Sequence, residues 1–392
     1  MLSVEEAREQ LLNSARPVPG REIVPVDDAL GRVLAKAVVS GVDVPPRDNS
    51  AMDGYAVRVA QAQEGAVLPV SQRIPAGGVA APLAPGSAAR IFTGATVPAG
   101  ADAIVMQEDT EAAGHSVKIL RAATPAAHIR HAGEDIRQGE SVLEAGTRLA
   151  PAQLGVAAST GCAQLEVFRR LKVAVFFTGD ELIQPGQPLP PGRIYNANRA
   201  MLVSLLGALG CEVVDLGQVA DTLPATITAL RNAASSADVV MTTGGVSVGE
   251  EDYVKQAVAE LGSLDLWKVA MKPGKPLAYG RVSGVDFIGL PGNPVSAFVV
   301  FRLFAEPFLV TRMGGTWAPP LSFPVPAGFE RRKAGERREY LRARMEEGRA
   351  VLYANQGSGA LTSVAWASGL VEVDAGTAIN SGDLVRFIPF NV

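Results

Sequence analysis

The alternation of apolar runs and amphipathic segments between Lys172 and Met313 is the feature that most constrains the fold. Val173–Phe177 is a short apolar run typical of a buried strand. Met201–Leu209 carries leucines at i, i+3, i+4 and i+7, which is the spacing of one helix face. The alternation continues through Glu212–Leu216, Leu223–Leu230, Asp238–Thr243, Glu250–Leu261, Leu264–Ala270, Asp286–Leu290 and Pro294–Thr311. This pattern predicts a mostly parallel α/β sheet with helices on both faces, over residues 171–316.

Helix-like segments lie on both sides of a β-rich stretch near the start of the chain. Ser3 and Glu6 have the spacing of a helix capping box, and Val26–Leu34 predicts a second short helix. Gly139–Phe168 returns to helical spacing and is expected to pack with the N-terminal helices. Together these segments predict one discontinuous helical domain made of residues 1–39 and 138–170.

Two further regions predict β structure. Between residues 40 and 137 prolines and glycines recur and apolar runs are short, which predicts a β-rich module inserted into the helical domain. Its apolar runs are Ala66–Val70, Ala88–Phe92 and Ala103–Gln107. Residues 317–392 predict a small β-barrel-like domain, with strands at Tyr340–Met345, Ala350–Ala354, Leu370–Asp374 and Leu384–Ile388.

Composition and charge exclude several functional classes. The net charge of −4 argues against a dedicated nucleic-acid binder, which usually carries a strong basic excess. Cys162 and Cys211 form no CxxC pair, and no zinc pattern surrounds the histidines. Val295–Val310 is interrupted by charged residues and is too short to span a bilayer. With an acidic start and no signal-peptide pattern, the protein is expected to be cytoplasmic and to bind neither nucleic acid nor membrane.

The loops that follow four predicted strands carry the residues best suited to bind an anion. Glycines between Gly244 and Gly249 let the backbone approach a ligand, and this loop leads into a helix N-terminus. Lys268, Lys272 and Lys275 lie within eight residues, and the last two flank a Pro-Gly turn that would present them as cations. The carboxyl ends of parallel strands are where open α/β sheets bind ligands. The loops are Thr178–Leu182, Thr242–Gly249, Lys268–Pro276 and Leu290–Ser296, and they predict a site for a small anionic, phosphorylated ligand.

Asn293 and Pro294 have two interpretations. They fit the N-cap and first position of a helix, which is a purely structural role. The free N–H groups of that helix, together with Ser296, would equally well hold an oxyanion.

The carboxylates also have two interpretations. Glu181, Asp221 and Asp252 lie near the predicted lysine cluster, with Asp53 and Asp135 further back in the chain. Carboxylates in such a place bind Mg²⁺ or a polar head group, whereas each one alone fits a helix cap or a surface position. Catalysis by metal-ion and charge positioning fits these residues better than covalent catalysis.

A set of longer motifs resembles the MoeA family of molybdopterin molybdenumtransferases, which includes the E domain of gephyrin. The motifs follow the family's order over most of the chain. They are Asp48–Tyr55, Phe92–Ala95, Gly133–Ile136, Thr178–Leu182, Gly244–Tyr253, Lys272–Pro276 and Leu290–Ser296, with weaker matches at Arg337–Arg342 and Gln356–Ser358.

The resemblance implies an activity and an assembly. Such proteins insert molybdate into the dithiolene of adenylyl-molybdopterin and release AMP, with Mg²⁺ as cofactor and a MogA-type adenylyltransferase as the upstream partner. The family is homodimeric, and its active site lies between the α/β domain of one subunit and the β-rich insertion of the other. Asp53 and Thr93 would therefore reach in from the partner chain.

The resemblance also implies roles for particular residues. The catalytic set would be Asp53, Thr93, Asp135, Glu181, Asp221, Asp252, Lys268, Lys272 and Lys275, with Glu181, Asp221 and Asp252 as metal ligands. The pterin nucleotide would contact Thr178, Gly179, Asp180, Gly244, Gly245, Val246, Ser247, Gly249, Pro273, Gly274, Pro291, Gly292, Asn293, Pro294 and Ser296. Molybdate would be held by Lys272, Lys275, Ser296, Arg337 and Ser358.

One position departs from the family's pattern, and two other functions remain open. Phe177 stands where the family often has a small polar residue, a difference that could reshape the pocket near Glu181 without removing its carboxylate. The related molybdopterin adenylyltransferases share the α/β domain and its Gly-Gly-Val-Ser loop. A non-catalytic dimeric scaffold that binds a partner peptide is the third hypothesis.

Overall fold

The structure is a computed structural model that describes residues 1–245 and 253–390. Helix α1, Val4–Ser14, starts with the predicted capping box, in which Ser3 Oγ accepts from the Glu6 N–H at 3.1 Å and Glu6 Oε2 accepts from the Ser3 N–H at 2.7 Å. Up to residue 170 there follow β1 Arg21–Pro25, β2 Val38–Val39, β3 Asn49–Ser50, β4 Gly54–Val57, β5 Val67–Ile74, β6 Ala88–Ile91, β7 Ala103–Met106, β8 Thr110–Ala113, β9 Ser116–Ile119, β10 Ile129–Arg130, β11 Ser141–Leu143, α2 Pro151–Ser159 and β12 Gln164–Phe168.

The predicted second helix at Val26–Leu34 is wrong. Only Val26–Asp28 is helical, as a single 3₁₀ turn. Gly31 has a φ of +74°, a left-handed conformation that a right-handed helix cannot continue through. Beyond it the chain is extended, and Leu34 pairs with Val167 of β12. The apolar spacing therefore reflects a buried loop.

The predicted helical domain is only partly helical, and its two helices do not pack together. Gly139–Phe168 contains β11, α2 and β12 rather than helix throughout. α1 packs against the α/β region, where Leu11 shares a core with Phe304 and Phe308. Ala157 of α2 lies in a separate core with buried residues of the first strands and loops. The two segments nevertheless share this core, as predicted, since Val26 and Leu34 lie in it with Leu143 and Ala157. The prediction was wrong about the helix content and about α1, because periodicity identifies a buried face but not its partner.

The inserted module is a six-stranded sheet in the order β7-β4-β6-β5-β9-β8. The predicted runs correspond to β5, β6 and β7, so the β-rich character of this stretch is confirmed. β4 lies so close to β7 that a Cβ at Gly54 would be 2.0 Å from the Val105 carbonyl oxygen. Glycine is therefore required beside Asp53, where β4 begins.

The α/β region contains most of the predicted elements and four unpredicted strands, three of which have only two residues each. Its elements are β13 Lys172–Thr178, β14 Leu182–Ile183, β15 Ile194–Tyr195, α3 Ala197–Leu209, β16 Glu212–Val219, α4 Leu223–Ser236, β17 Val239–Thr243, α5 Tyr253–Leu261, β18 Gly262–Lys268, β19 Met271–Lys272, β20 Pro276–Val282, β21 Val285–Leu290, α6 Pro294–Val300 and α7 Glu306–Arg312. The sheet order is β16-β13-β17-β21-β20-β18. The first four strands are parallel, and β20 pairs antiparallel with both β21 and β18, so that β20 alone runs in the opposite direction and the mostly parallel sheet is confirmed.

Helices cover both faces of this sheet. Phe176 and Phe177 are neighbours on β13, yet they lie in two different cores, because successive strand side chains point to opposite faces. Phe177 is fully buried and is not among the residues that line the cleft described below. Any effect of Phe177 on the pocket would therefore be indirect.

One continuous helix, 294–312, joins α6 and α7 through a π-helical turn, Phe301–Ala305. In this turn the Glu306 N–H donates to the Phe301 carbonyl, five residues back, which is the π-helical pattern. The next residue, Pro307, has no N–H to donate. Among the described residues this helix alone is long and apolar enough to cross a bilayer. However, 72% of its apolar window is buried within the protein, which is typical of a core helix.

The C-terminal region is mainly β, as predicted, and it joins the α/β region. Its elements are β22 Phe323–Pro326, β23 Arg338–Glu346, β24 Arg349–Leu352, α8 Thr362–Trp366, β25 Gly369–Val373 and β26 Leu384–Pro389. The sheet order is β19-β23-β25-β26-β22, with β24 paired to β23. Because β19 belongs to the lysine loop of the α/β region, this sheet connects that loop to the C-terminal strands. The chain thus has a multi-domain α/β plus β fold.

Candidate functional site

A cleft of about 990 Å³ lies where β13, β17 and β21 end, between the α/β region and the C-terminal strands. This is the edge at which open α/β sheets bind ligands. Loops from four different parts of the chain meet here. The predicted site residues that line the cleft are Thr178, Glu181, Gly244, Gly245, Lys272, Pro273, Gly274, Lys275, Pro291, Gly292, Asn293, Pro294, Ser296, Arg337 and Ser358.

Lys272 and Lys275 lie on a tightly packed loop. The Lys275 carbonyl accepts from the Val269 N–H at 2.9 Å, and Gly274 has a φ of +97°. A Cβ at Gly274 would be 2.4 Å from Val300 Cγ2 of α6, so only glycine fits. Both lysines are exposed, and none of the ion pairs within the described ranges involves them. They are therefore available to an anion.

Arg337 adds a third cation to the cleft. Its Nη1 donates to the Met271 carbonyl at 3.0 Å, which ties the arginine to the lysine loop. β19 and β23 pair beside it. This wall of the cleft therefore carries three positive side chains, as the anion-site prediction requires.

The start of α6 has the predicted N-cap residue and first-position proline, but a group from elsewhere in the chain caps it. Asn293 and Pro294 take the N-cap and first helical positions, yet the Asn293 side chain makes no capping hydrogen bond. The Val295 N–H donates to the Ser358 carbonyl at 3.0 Å, so this N–H is not free for an oxyanion. Ser296 is only 4% exposed and lines the cleft. The C-terminal region thus caps α6 through its backbone.

The loop that carries Ser358 is held by a buried arginine. Arg342 Nε donates to Ser363 Oγ at 3.1 Å, and Arg342 Nη2 approaches the Gly357 carbonyl at 3.4 Å. Gln356 Oε1 accepts from the Arg342 N–H, and its Nε2 donates to the Arg342 carbonyl, both at 2.9 Å. Burial lowers the pKa of Arg342 to about 10, so it remains charged at neutral pH.

Glu181 is placed by the turn after β13. Gly179 has a φ of +143°, and a Cβ there would be 2.7 Å from Glu181 Oε2. Gln218 Nε2 donates to the carbonyls of Gly179 and Leu182, at 3.1 and 3.0 Å. The turn thus folds the Glu181 carboxylate back over Gly179, beside the cleft. Glu181 is the only carboxylate among the described residues that line the cleft.

Several predicted residues are not part of the cleft lining. Gly179 and Asp180 lie in the turn beside it, Asp221 lies before α4, and Lys268 ends β18. Position in the chain did not reveal that Lys268 is on the edge strand. Val246, Ser247, Gly249 and Asp252 lie outside the described residues. Within residues 1–245 and 253–390, no three His, Cys, Asp or Glu side chains are grouped to hold a metal ion.

Asp53 and Thr93 are brought together on the inserted module. Asp53 Oδ1 accepts from both the N–H and the hydroxyl of Thr93, each at 2.8 Å. These two hydrogen bonds, the backbone one first, lower the pKa of Asp53 below its ordinary value. The pair is thus a fixed negative charge, but it does not line this cleft. Asp135 is exposed on the loop after β10.

The sequence interpretation missed one wall of the cleft. Asn196 caps α3, with its Oδ1 accepting from the Arg199 N–H at 3.0 Å. An N-cap asparagine before the leucine-rich helix was a visible signal, but only of helix structure. The rest of this unpredicted wall is Ile194, Tyr195, Ala197 and Asn198. Five further lining residues had no predicted role but lie in loops or motifs singled out in the sequence: Leu182, Thr243, Pro276, Gln356 and Gly357.

The chain matches three family models in sequence order. Residues 2–161 match the MoeA N-terminal region (domain I and II), residues 174–311 a probable molybdopterin binding domain, and residues 324–390 the MoeA C-terminal region (domain IV). Together these matches extend from the first helix to the last strand.

Individual proteins match over similar lengths. A molybdopterin molybdenumtransferase of Haemophilus influenzae is 41% identical over 87% of this chain and 85% of its own. Molybdopterin molybdenumtransferase 2 of Mycobacterium tuberculosis is 39% identical over 98% of this chain and 100% of its own. The crystal structure of the molybdopterin biosynthesis moeA protein of Pyrococcus horikoshii superposes with a TM-score of 0.86 at 29% identity, covering 100% of both chains. With matches of this identity over nearly its whole length, the chain belongs to the MoeA family of molybdopterin molybdenumtransferases.

Proposed function

We propose that this protein inserts molybdate into the dithiolene of adenylyl-molybdopterin and releases AMP, giving molybdenum cofactor. The observation that carries the proposal is the cleft in which Lys272, Lys275 and Arg337 meet at the carboxyl ends of the parallel strands. Its volume of about 990 Å³ is large enough for a nucleotide-sized substrate. The relatives that cover this chain are named for molybdenum transfer to molybdopterin.

The cleft residues would act mainly by charge and position. Molybdate and the substrate's phosphates are oxyanions, which Lys272 and Lys275 attract as point charges. Arg337 offers a planar fork of donors, and the hydroxyls of Ser296 and Ser358 add neutral donors. Water would add to phosphorus as the phosphoanhydride breaks, so that negative charge grows on the departing AMP. Two molybdate oxygens would leave as water, with protons from the thiols and the solvent, as the two Mo–S bonds form. Fixed cations stabilise that charge more than they stabilise the ground state.

Magnesium is part of the proposal through Glu181. Mg²⁺ in phosphate chemistry is usually bound through one or two carboxylates together with substrate phosphates. Glu181 would supply such a carboxylate at this cleft. When bound, the ion would neutralise phosphate charge. Asp221 and Asp252 remain proposed ligands from the family resemblance.

The direct test is molybdate-dependent release of AMP from adenylyl-molybdopterin by the full-length protein with Mg²⁺. We expect AMP to appear in proportion to added molybdate, with little release when molybdate is omitted. AMP and molybdenum cofactor would be quantified by chromatography. Absence of release from folded protein would contradict the proposal.

We further propose a homodimer in which the partner subunit's Asp53 and the partner subunit's Thr93 complete the cleft. Their hydrogen-bonded pair is a fixed acceptor on a module that contributes nothing to the cleft of its own chain. A MogA-type adenylyltransferase would supply the substrate.

Mixed dimers test the shared site. Asp53→Ala and Lys275→Ala homodimers should each be inactive. Random mixing of the two should restore about one quarter of wild-type activity, because half of the dimers then hold one intact site of two. Mixing Lys272→Ala with Lys275→Ala is the control, since both changes lie on the same side of the site. Failure of the first mixture to recover activity would exclude a site shared in this way.

Neither alternative function is favoured. A molybdopterin adenylyltransferase would be expected to match through the α/β domain, whereas this chain also matches the MoeA N- and C-terminal regions. A non-catalytic scaffold has no use for the exposed lysines of the cleft.

A further inference from the structure

The wall of the cleft before α3 has a chemistry that the anion site does not explain. Leu182 and Ile194 are neighbours in the pairing of β14 with β15, and Tyr195 follows. All three line the cleft, and Ile194 and Tyr195 are 56% and 44% exposed. Exposed apolar side chains inside a cleft favour a flat, weakly polar part of a ligand.

Asn196 follows this apolar strip directly and has one unused donor. It is only 2% exposed and lines the cleft. Its Oδ1 is occupied by the Arg199 N–H, which fixes the orientation of the amide. Its Nδ2 is buried and has no hydrogen-bond partner among the described residues. A buried N–H donor without a partner is rare and destabilising.

Asn198 has the complementary property, an unused acceptor. Its Nδ2 donates to the Gly292 carbonyl at 2.6 Å and approaches Thr243 Oγ1 at 3.3 Å, which again fixes the amide. Its Oδ1 is buried, and nothing in the described parts of the chain donates to it. Two amides on one wall thus have one donor and one acceptor unsatisfied.

We propose that Asn196 and Asn198, with the apolar strip of Leu182, Ile194 and Tyr195, form a subsite for a planar nitrogen heterocycle. The ring would lie against the strip, and its edge would present an acceptor to Asn196 Nδ2 and an N–H donor to Asn198 Oδ1. This inference rests on the proposed function for the identity of the ring. That substrate carries two such rings, adenine and the pterin, and both have an acceptor beside an N–H donor.

The subsite determines substrate specificity and takes no part in bond breaking. It holds the ring alike in the ground state and in the transition state. Loss of one ring contact should therefore raise KM for adenylyl-molybdopterin and leave kcat nearly unchanged. A purely structural defect at the start of α3 would instead lower thermal stability and kcat.

The test uses Asn196→Ser and Asn196→Asp in the full-length protein. Both replacements keep an oxygen that can cap α3, and both remove the Nδ2 donor. Binding of AMP and of free pterin would be measured separately by calorimetry. We expect about tenfold weaker binding of the ring that occupies the subsite. Asn232→Ser, at an exposed position on α4, is the control and should bind both ligands as the wild type does.

The two ligands identify the ring, and an analogue identifies the contact. If AMP binding weakens, adenine occupies the subsite. Its N1 and N7 both lie beside the 6-amino donor, so either 1-deaza-AMP or 7-deaza-AMP, which lack these acceptors, should bind the wild type about tenfold more weakly than AMP. Asn196→Ser should bind AMP and that analogue equally. If only pterin binding weakens, the pterin is the occupant. Unchanged binding of both ligands by both variants would overturn the inference.

The outcome is separable from that of the proposed function. If wild-type protein releases no AMP but ring binding depends on Asn196, the result supports the subsite and contradicts the proposed reaction. If the wild type is active and ring binding does not depend on Asn196, the result supports the proposed reaction and contradicts the subsite.

Discussion

Replacement of Lys275 by alanine is expected to reduce molybdate-dependent AMP release by about a hundredfold or more, while the protein remains folded. The side chain is exposed in the cleft, so its removal leaves no core cavity. The backbone contact of Lys275, its carbonyl with the Val269 N–H at 2.9 Å, is kept in the alanine variant. The change therefore removes a cation and little else. Steady-state kinetics with varied molybdate and a thermal unfolding curve would measure both effects.

Lys333→Ala is the matched control, because Lys333 is an exposed lysine on the loop between β22 and β23, outside the cleft. It should retain wild-type kinetics. Lys275→Arg keeps the charge but changes its shape, and we expect it to recover only part of the activity. Wild-type turnover by Lys275→Ala would remove the anion-site argument altogether.

Replacement of Gly274 by alanine is expected to abolish activity and to destabilise the protein as well. The positive φ of +97° would cost a residue with a Cβ about 1–2 kcal/mol. The new Cβ would also meet Val300 Cγ2 at 2.4 Å, and overpacking of this kind typically costs about 1–3 kcal/mol. Relief of the clash must move the loop, and with it Lys272 and Lys275. Thermal unfolding and AMP release would be measured together.

Two further variants separate backbone strain from the clash. Gly284, in the turn between β20 and β21, has a φ of +84°, and an added Cβ there would meet nothing within 4 Å, so Gly284→Ala reports the strain alone. Val300→Ala combined with Gly274→Ala removes the clash and should recover part of the stability lost. If Gly274→Ala is no less stable than Gly284→Ala, the packing of the loop against α6 is not what holds it.

The α/β region could be predicted because its strands are buried on both faces and its helices are amphipathic. β20 was missed for a physical reason. It begins at Pro276 and contains Gly280, which are turn signals in a sequence. In the structure a Cβ at Gly280 would be 2.1 Å from the Ser263 carbonyl, so the glycine permits strand pairing there. The helix predicted at Val26–Leu34 is the opposite case, an element that was predicted but is absent, since apolar spacing alone cannot exclude a buried loop.

The anion side of the cleft could be predicted because lysines around a Pro-Gly turn have few structural uses. Lys268 was grouped with them by closeness in sequence, but it lies on an edge strand and outside the cleft lining. Asn196 and Asn198 could not be predicted as a ring subsite. Their significance depends on which amide atoms remain unpaired, and that depends on Arg199, Gly292 and Thr243 in three dimensions.

The hydrogen bond between the Val295 N–H and the Ser358 carbonyl is expected to limit the exchange of C-terminal domains between relatives. A C-terminal domain borrowed from a relative would have to deliver one backbone oxygen to the first turn of α6, besides matching β19. Any side chain at position 358 supplies that oxygen, so the constraint would leave no trace in residue identity. Chimeric proteins that preserve every residue of the cleft would therefore still differ in how well the N-terminus of α6 is capped.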